Sequence, residues 1–131
     1  SRGMEFAKHD GMDAVFFDFD KYDLKEKERE TLQKNAALLK GQNKNSIIEG
    51  NCDERGTIEY NIALGQKRAR EVRDYYMKLG ADGGKISTIS YGKERPVCAE
   101  HAESCWFKNR RADTKLAAPA PAAPAEAQLG K

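Results

Sequence analysis

The alternation of short β-branched and aromatic runs with two stretches of helical period constrains this chain most, because it limits the fold to helices packed on a βα-type sheet. The first run is Ala14-Val15-Phe16-Phe17-Asp18-Phe19, bounded by polar residues. Asp23 with Glu26 three residues on has the form of a capping box, and Leu32, Ala36 and Leu39 make a helical apolar stripe ending near Lys40-Gly41. Ser46-Ile47-Ile48-Glu49 reads as a second strand, closed by Gly50 and opening into the polar turn 51–57. From Ile58 to Leu79 the pattern predicts a second helix, with Ile62, Ala69, Val72, Tyr76 and Leu79 on one face and Gly80 as its stop. Ile86 to Tyr91 is a third strand. A long loop, Gly92 to Lys108, holds Pro96, two cysteines and the single tryptophan before a last strand from about Arg110 to Leu116. The order is βαβαβ, then β.

The flanks carry no such pattern. Residues 1–12 lack periodicity and predict a loose arm, and residues 117–131 are rich in Ala and Pro, which predicts a flexible tail or linker. Residues 13–116 then form one domain, and 131 residues with 39% hydrophobic content are enough for one core. The 23 Lys and Arg nearly balance the 21 Asp and Glu, so a net charge of +2 provides no basic field for nucleic acid. No apolar run approaches the roughly 20 residues of a membrane helix, and the first residues lack the apolar stretch of a signal peptide. The chain is expected to be soluble as given, with any export signal or lipid anchor lying outside it.

The second helix contains an anomaly. At about 100° per residue, Asn61 and Arg68 project within about 20° of each other, in the direction of Val72 and Leu79. Gly65 lies on the same stripe and leaves space. Arg70, Arg73, Lys67 and Lys78 point elsewhere and read as solvated charges. Polar groups on an inward stripe just after a polar turn look like a pocket wall. Read from the residues alone, a structural ion pair of Arg68 with Asp53 or with a strand-one carboxylate is the favoured account of the pattern, and Asn61 reads as well as a satisfied buried amide. On the last strand, alternation puts Arg110 on the more apolar face with Ala112, Thr114 and Leu116. Strand ends and the loops after them form the usual crevice of a βα-type sheet, which nominates Asp53, Asn61, Arg68 and Arg110 as a candidate set there. Such a set suits a ligand bearing both an ammonium, taken by Asp53, and a carboxylate, taken by Arg68.

The residues that carry these features resemble a known family. Phe16-Phe17-Asp18-Phe19-Asp20-Lys21-Tyr22-Asp23, the run Glu49 to Asn61, Leu64-Gly65-Gln66-Lys67-Arg68-Ala69, Ser90-Tyr91-Gly92-Lys93-Glu94-Arg95-Pro96 and Asn109-Arg110-Arg111 are similar, in order, to the OmpA-like family of peptidoglycan-binding domains, and within it to the Pal-type branch. The resemblance covers roughly residues 13–116. It implies an α+β sandwich: a mixed four-stranded sheet covered by two long helices. It further implies a pocket for the diaminopimelate residue of the peptidoglycan stem peptide, with Asp53 and Arg68 holding its zwitterionic end. Asn61, Arg110 and Asp18 match further pocket positions. The implied role is non-enzymatic anchoring of the outer membrane to the wall in the periplasm of a Gram-negative bacterium, with no cofactor and with Tol envelope proteins as additional partners. Asn51-Cys52 departs from the family, where His and a small residue are common; an Asn there keeps a hydrogen bond but cannot titrate near neutral pH.

Other chemistries are less well supplied. Cys98, His101 and Cys105 offer three ligands for a metal, one short of a structural zinc site, and a Cys98–Cys105 disulfide suits an oxidising compartment better. Cys52 beside Asp53 is the only pair that suggests a nucleophile, and no histidine is placed by sequence to activate it. Cys52 reads as a small, half-buried turn residue. The charged runs Lys25 to Arg29 and Lys67 to Arg73 suit protein docking but are ordinary on solvated helices.

Overall fold

The computed structural model describes residues 5–118. Its elements are β1 (Phe6–Ala7), β2 (Val15–Phe16), α1 (Glu26–Gln42), β3 (Ser46–Asn51), α2 (Ile58–Lys78), a 3-10 turn (Gly83–Lys85), β4 (Ile86–Gly92), α3 (Glu103–Asn109) and β5 (Arg111–Ala117). The sheet is mixed, as expected, and runs β1-β5-β3-β4, with β2 also on β5. The parallel pair is β3 with β4, the two strands joined by a helical crossover, while β5 lies antiparallel to β3. The two long helices supply the apolar cover: Leu32, Ala36 and Leu39 of α1 and Ala69, Val72 and Tyr76 of α2 bury with Ile48 and Leu116 of the sheet.

The sheet has five strands where the sequence reading predicted four. The extra strand, β1, falls in the presumed loose arm: Phe6 and Ala7 pair with Ala117 and Leu116, and Met12 is buried in the core. A two-residue strand has no period to detect, so the arm reads as unstructured although the backbone of Phe6 and Ala7 is paired. Ala117 likewise belongs to β5, and Ala118 N–H bonds the Glu5 carbonyl. The remainder of the expected tail, residues 119–131, lies outside the described residues, as do residues 1–4.

Three further local readings are corrected. The capping box at Asp23 does not form; α1 begins after Lys25, which makes no side-chain cap, and ends on Asn43 in the left-handed region rather than at Gly41. The run Ala14 to Phe19 pairs only over Val15–Phe16, since the chain turns at Asp18–Lys21 with Asp20 at a φ of 61°. The long loop contains α3, whose seven residues are too few for a periodic signal.

Gly50 of β3 and Gly65 of α2 set the distance between helix and sheet. A Cβ on Gly50 would fall 1.8 Å from the Gly65 carbonyl oxygen. Only glycine at both positions lets the two backbones touch. This contact presses the polar N-terminal half of α2 onto the end of β3.

Candidate functional site

The turn after β3 is built by its own side chains. Asp53 Oδ1 accepts from Arg55 N–H at 3.0 Å, an Asx turn, and Gly56 continues the turn at a φ of 98°. Thr57 then caps α2 by accepting from Tyr60 N–H. Asn61 Nδ2 donates to the carbonyls of Arg55 and Thr57, tying the turn to the helix. Lys93 Nζ reaches across to the Gly56 carbonyl.

These residues wall a cavity of about 90 Å³ lined by Phe19, Asp20, Cys52, Asp53, Arg55, Gly56, Tyr60, Asn61, Leu64, Arg68 and Arg110. It sits at the carboxyl end of β3, where crevices form in βα sheets. A larger cavity of about 250 Å³ lies at the opposite end of the sheet, lined by Lys40, Lys44, Ser46, Asp82 and Lys85 among others. Two of the lysines there are engaged structurally, Lys40 with the Leu79 carbonyl and Lys85 with Asn43. The smaller cavity holds the converging charges, and the chemistry lies there.

Arg68 is fully buried. Its Nε donates to the Lys21 carbonyl at 2.8 Å, Nη1 to the Asn51 carbonyl at 2.9 Å and Nη2 to the Asp18 carbonyl at 3.1 Å. The guanidinium also lies over the Phe17 ring. Three of its five N–H groups are thus committed to backbone, leaving one on each terminal nitrogen. Among the described residues it makes no ion pair, so the expected structural pairing with Asp53 or a strand-one carboxylate is absent. Burial lowers the Arg68 pKa, with Cys52 and the acids of the cavity opposing. An arginine remains charged despite such a shift, so the cavity floor carries an uncompensated cation.

Asp53, 3% exposed, has cations on two sides. Arg55 Nη2 lies 2.8 Å and Arg110 Nη1 3.3 Å from Oδ2. Burial is the largest influence on Asp53 and raises its pKa, but hydrogen bonds from Arg55 and Arg110 outweigh it and hold the carboxyl below the usual range. Arg110 in turn is held by Glu103, whose hydrogen bond, opposed by burial, raises the arginine pKa. It also donates to the Phe17 carbonyl at 2.8 Å. Beside the cavity, Cys98 and Cys105 are joined by a disulfide that clips α3 to the preceding loop. From α3, Trp106 donates to Glu54 and stacks on Arg55.

The structure therefore brings Asp53, Asn61, Arg68 and Arg110 together. It does not bring the Asp18 carboxylate, which is half exposed and paired with Lys25 outside this cavity; Asp18 contributes only its carbonyl, to Arg68. Asp20, two residues on, lines the cavity instead, because the left-handed turn at that position redirects the chain. The sequence reading missed Arg55, Phe19, Tyr60, Trp106 and Glu103. Arg55 was accessible in principle, since it is two residues from Asp53 in the same turn; α3 carried no signal. Cys52 is buried rather than half-buried, its Sγ 3.3 Å from the Asn61 carbonyl. Ile62, expected inward, is exposed, and Arg73 is not merely solvated but bonds the carbonyls of Gly83 and Ile86. No cluster of His, Cys, Asp and Glu suited to a metal is found among the described residues.

A mixed sheet backed by two long helices, with a small charged crevice at the end of β3, defines an OmpA-like domain, and the chain belongs to the OmpA family, whose sequence profile matches residues 16–110. Within that family its relatives include peptidoglycan-associated lipoproteins. That of Brucella melitensis is 48% identical over 105 residues, 79% of this chain and 62% of the relative. That of Haemophilus influenzae is 48% identical over 99 residues, 75% of this chain and 65% of the relative. The chain thus spans just under two thirds of these relatives. The crystal structure of the peptidoglycan-associated lipoprotein from Burkholderia pseudomallei is 44% identical with a TM-score of 0.75, covering 80% of this chain and 89% of that one. The cell wall anchor of the T6SS from Pseudomonas aeruginosa, 22% identical with a TM-score of 0.70 over 81% of this chain and 80% of that one, shares the fold.

Proposed function

We propose that this domain binds peptidoglycan non-covalently, through the diaminopimelate residue of the stem peptide, and so anchors the outer membrane to the wall from the periplasmic side. The observation that carries the reading is a buried arginine, Arg68, without an ion pair among the described residues, at the floor of a cavity that also holds the carboxylate of Asp53. A buried cation left unpaired is costly, and an anionic ligand group supplies the missing partner. A carboxylate beside an ammonium on one carbon matches both charges. Since a water molecule accounts for about 30 Å³, the cavity admits the end of one amino-acid side chain rather than a whole peptide. The names of the relatives support wall association.

Among the described residues no nucleophile stands beside a general base at the cavity. Cys52 is buried and its thiol is pushed up to about 11, chiefly by burial, which leaves it protonated at neutral pH; neither histidine reaches it. No helix among the described residues is long and apolar enough to cross a membrane. A second reading, docking of Tol envelope proteins, is favoured by apolar residues near the cavity: Phe19 at 53%, Ile58 at 52% and Tyr60 at 50% are exposed.

Calorimetric titration with a diaminopimelate-containing stem peptide tests the reading. The parent should bind, and Asp53→Ala and Arg68→Ala should each lose on the order of 1.5–3 kcal/mol, as removal of a charge-assisted contact does. A folded parent that ignores the peptide refutes wall binding and moves the docking reading to first place.

A further inference from the structure

Asp53 has no acceptor capacity left for a ligand. Its Oδ1 accepts from Arg55 N–H at 3.0 Å and Arg55 Nε at 3.2 Å; its Oδ2 accepts from Arg55 Nη2 at 2.8 Å and Arg110 Nη1 at 3.3 Å. A carboxylate offers about four lone-pair sites, and all four are occupied. If an ammonium is to bind Asp53, one of these donors must leave.

The donors differ in how firmly they are held. The Arg55 N–H belongs to the turn itself and moves only if the turn unfolds. The Arg110 side chain is 6% exposed and is anchored elsewhere by the Phe17 carbonyl and by both carboxylate oxygens of Glu103. The Arg55 side chain is 32% exposed, and among the described residues Asp53 is the only acceptor of its guanidinium. What else holds it is a pair of rings: its Cζ lies 3.8 Å from the Phe19 centroid and 4.0 Å from that of Trp106. The Phe19 ring is itself half exposed. Arg55 is the one donor that can withdraw into solvent without breaking the fold.

We infer that Arg55 is a displaceable plug: its guanidinium occupies, in the unliganded domain, the subsite that receives the ammonium group of the ligand. Its departure opens two acceptor positions on Asp53 and a slot flanked by the faces of Phe19 and Trp106. A primary ammonium fits both, since it donates to the carboxylate while its charge lies against the rings. The exchange replaces one cation with another, so the field at Arg68 and Arg110 is unchanged while the ligand carboxylate binds. It also gives selectivity. A carboxylate ligand without an amine cannot displace Arg55 from Asp53, and the plug excludes it. This deepens the wall-binding reading and rests on it.

The test is calorimetric titration of the full chain with a diaminopimelate-containing stem peptide and with the same peptide acetylated on its free side-chain amine. Arg55→Met, which keeps the apolar stem, and Arg55→Gln are compared with the parent, each checked for folding by thermal melting. Removal of the plug should tighten binding of the free-amine peptide at least five-fold in both variants. The ratio of affinities for the free over the acetylated peptide should exceed ten in the parent and fall in the variants, whose Asp53 no longer needs a competitor to be freed. A parent that binds, with variants equal or weaker, overturns the plug while leaving wall binding intact. A folded parent and variants that all fail to bind overturn both.

Discussion

Replacing Gly50 by alanine tests how the site depends on the contact between α2 and β3. The added Cβ would lie 1.8 Å from the Gly65 carbonyl oxygen and 2.6 Å from its carbon, short of ordinary contact at 3.4 Å by about 1.6 Å in the first case. Both atoms are backbone, so no rotamer relieves the overlap, and α2 must lift from the sheet by a comparable distance. A gap of 0.5–1 Å already forfeits about a quarter to a half of a contact's dispersion energy. The loss extends along Ala69 and Val72, both fully buried on the same helix face. Overpacking typically costs about 1–3 kcal/mol, and a clash between two backbones belongs at or above the top of that range, about 3 kcal/mol. Function should fail with stability, because the lift carries Arg68 away from the Asn51 carbonyl, now 2.9 Å from Nη1. Gly65→Ala is the matched control. Its Cβ meets first the Ser90 hydroxyl at 2.2 Å, a side-chain atom, and then the Gly50 carbonyl oxygen at 3.0 Å. Removing that hydroxyl with Ser90→Ala should therefore recover part of the Gly65→Ala loss and none of the Gly50→Ala loss. Urea denaturation of the parent, the two glycine variants and each of these combined with Ser90→Ala supplies the stabilities. A Gly50→Ala domain less than 1 kcal/mol weaker than the parent, with peptide binding retained, refutes the reasoning.

Other expectations follow from buried groups. Burial raises the Cys52 thiol from 9.0 to about 11, so the folded state favours the neutral thiol; this stabilisation is complete below pH 9 and is lost as pH rises through 11. Cys52→Ala should remove on the order of 2 kcal/mol from the pH-dependent loss between those limits, and urea midpoints that keep the parent's pH slope contradict this. The Cys98–Cys105 disulfide closes a loop of sequence separation 7, so its replacement by two serines should cost about 2 kcal/mol in thermal or urea unfolding; no loss shows that α3 is held by other contacts alone. Tyr76→Phe should cost about 1–3 kcal/mol in urea unfolding, because the buried Asn35 amide and Thr114 hydroxyl each lose a partner; a neutral effect means those groups find another.

The sequence by itself determined the long elements and most of the site. The apolar stripe of α1, the alternation of β5 and the order of strands and helices all have a period that repeats often enough to be read. Asn61, Arg68 and Arg110 betrayed themselves as polar residues on apolar faces, and those three residues do line the cavity with Asp53. Tertiary structure decided what has no period or no local cause. A two-residue strand, β1, exists only because β5 offers it an edge. The seven-residue α3 is held by a disulfide and by the Asn109 side chain, which bonds the backbone of Val97 and Cys98. The same polar residues that marked the site misled the reading of Ile62. Asn61, Leu64, Gly65 and Arg68 occupy the inward stripe, and the neighbouring isoleucine is left at the surface. Whether Arg68 pairs with a carboxylate or remains unpaired, and whether Asp53 is open or filled by Arg55, depend on distances across turns far apart in sequence. Side-chain pattern records which face a residue takes, but the partner it meets there is set only when separate segments are packed to within a hydrogen bond's length.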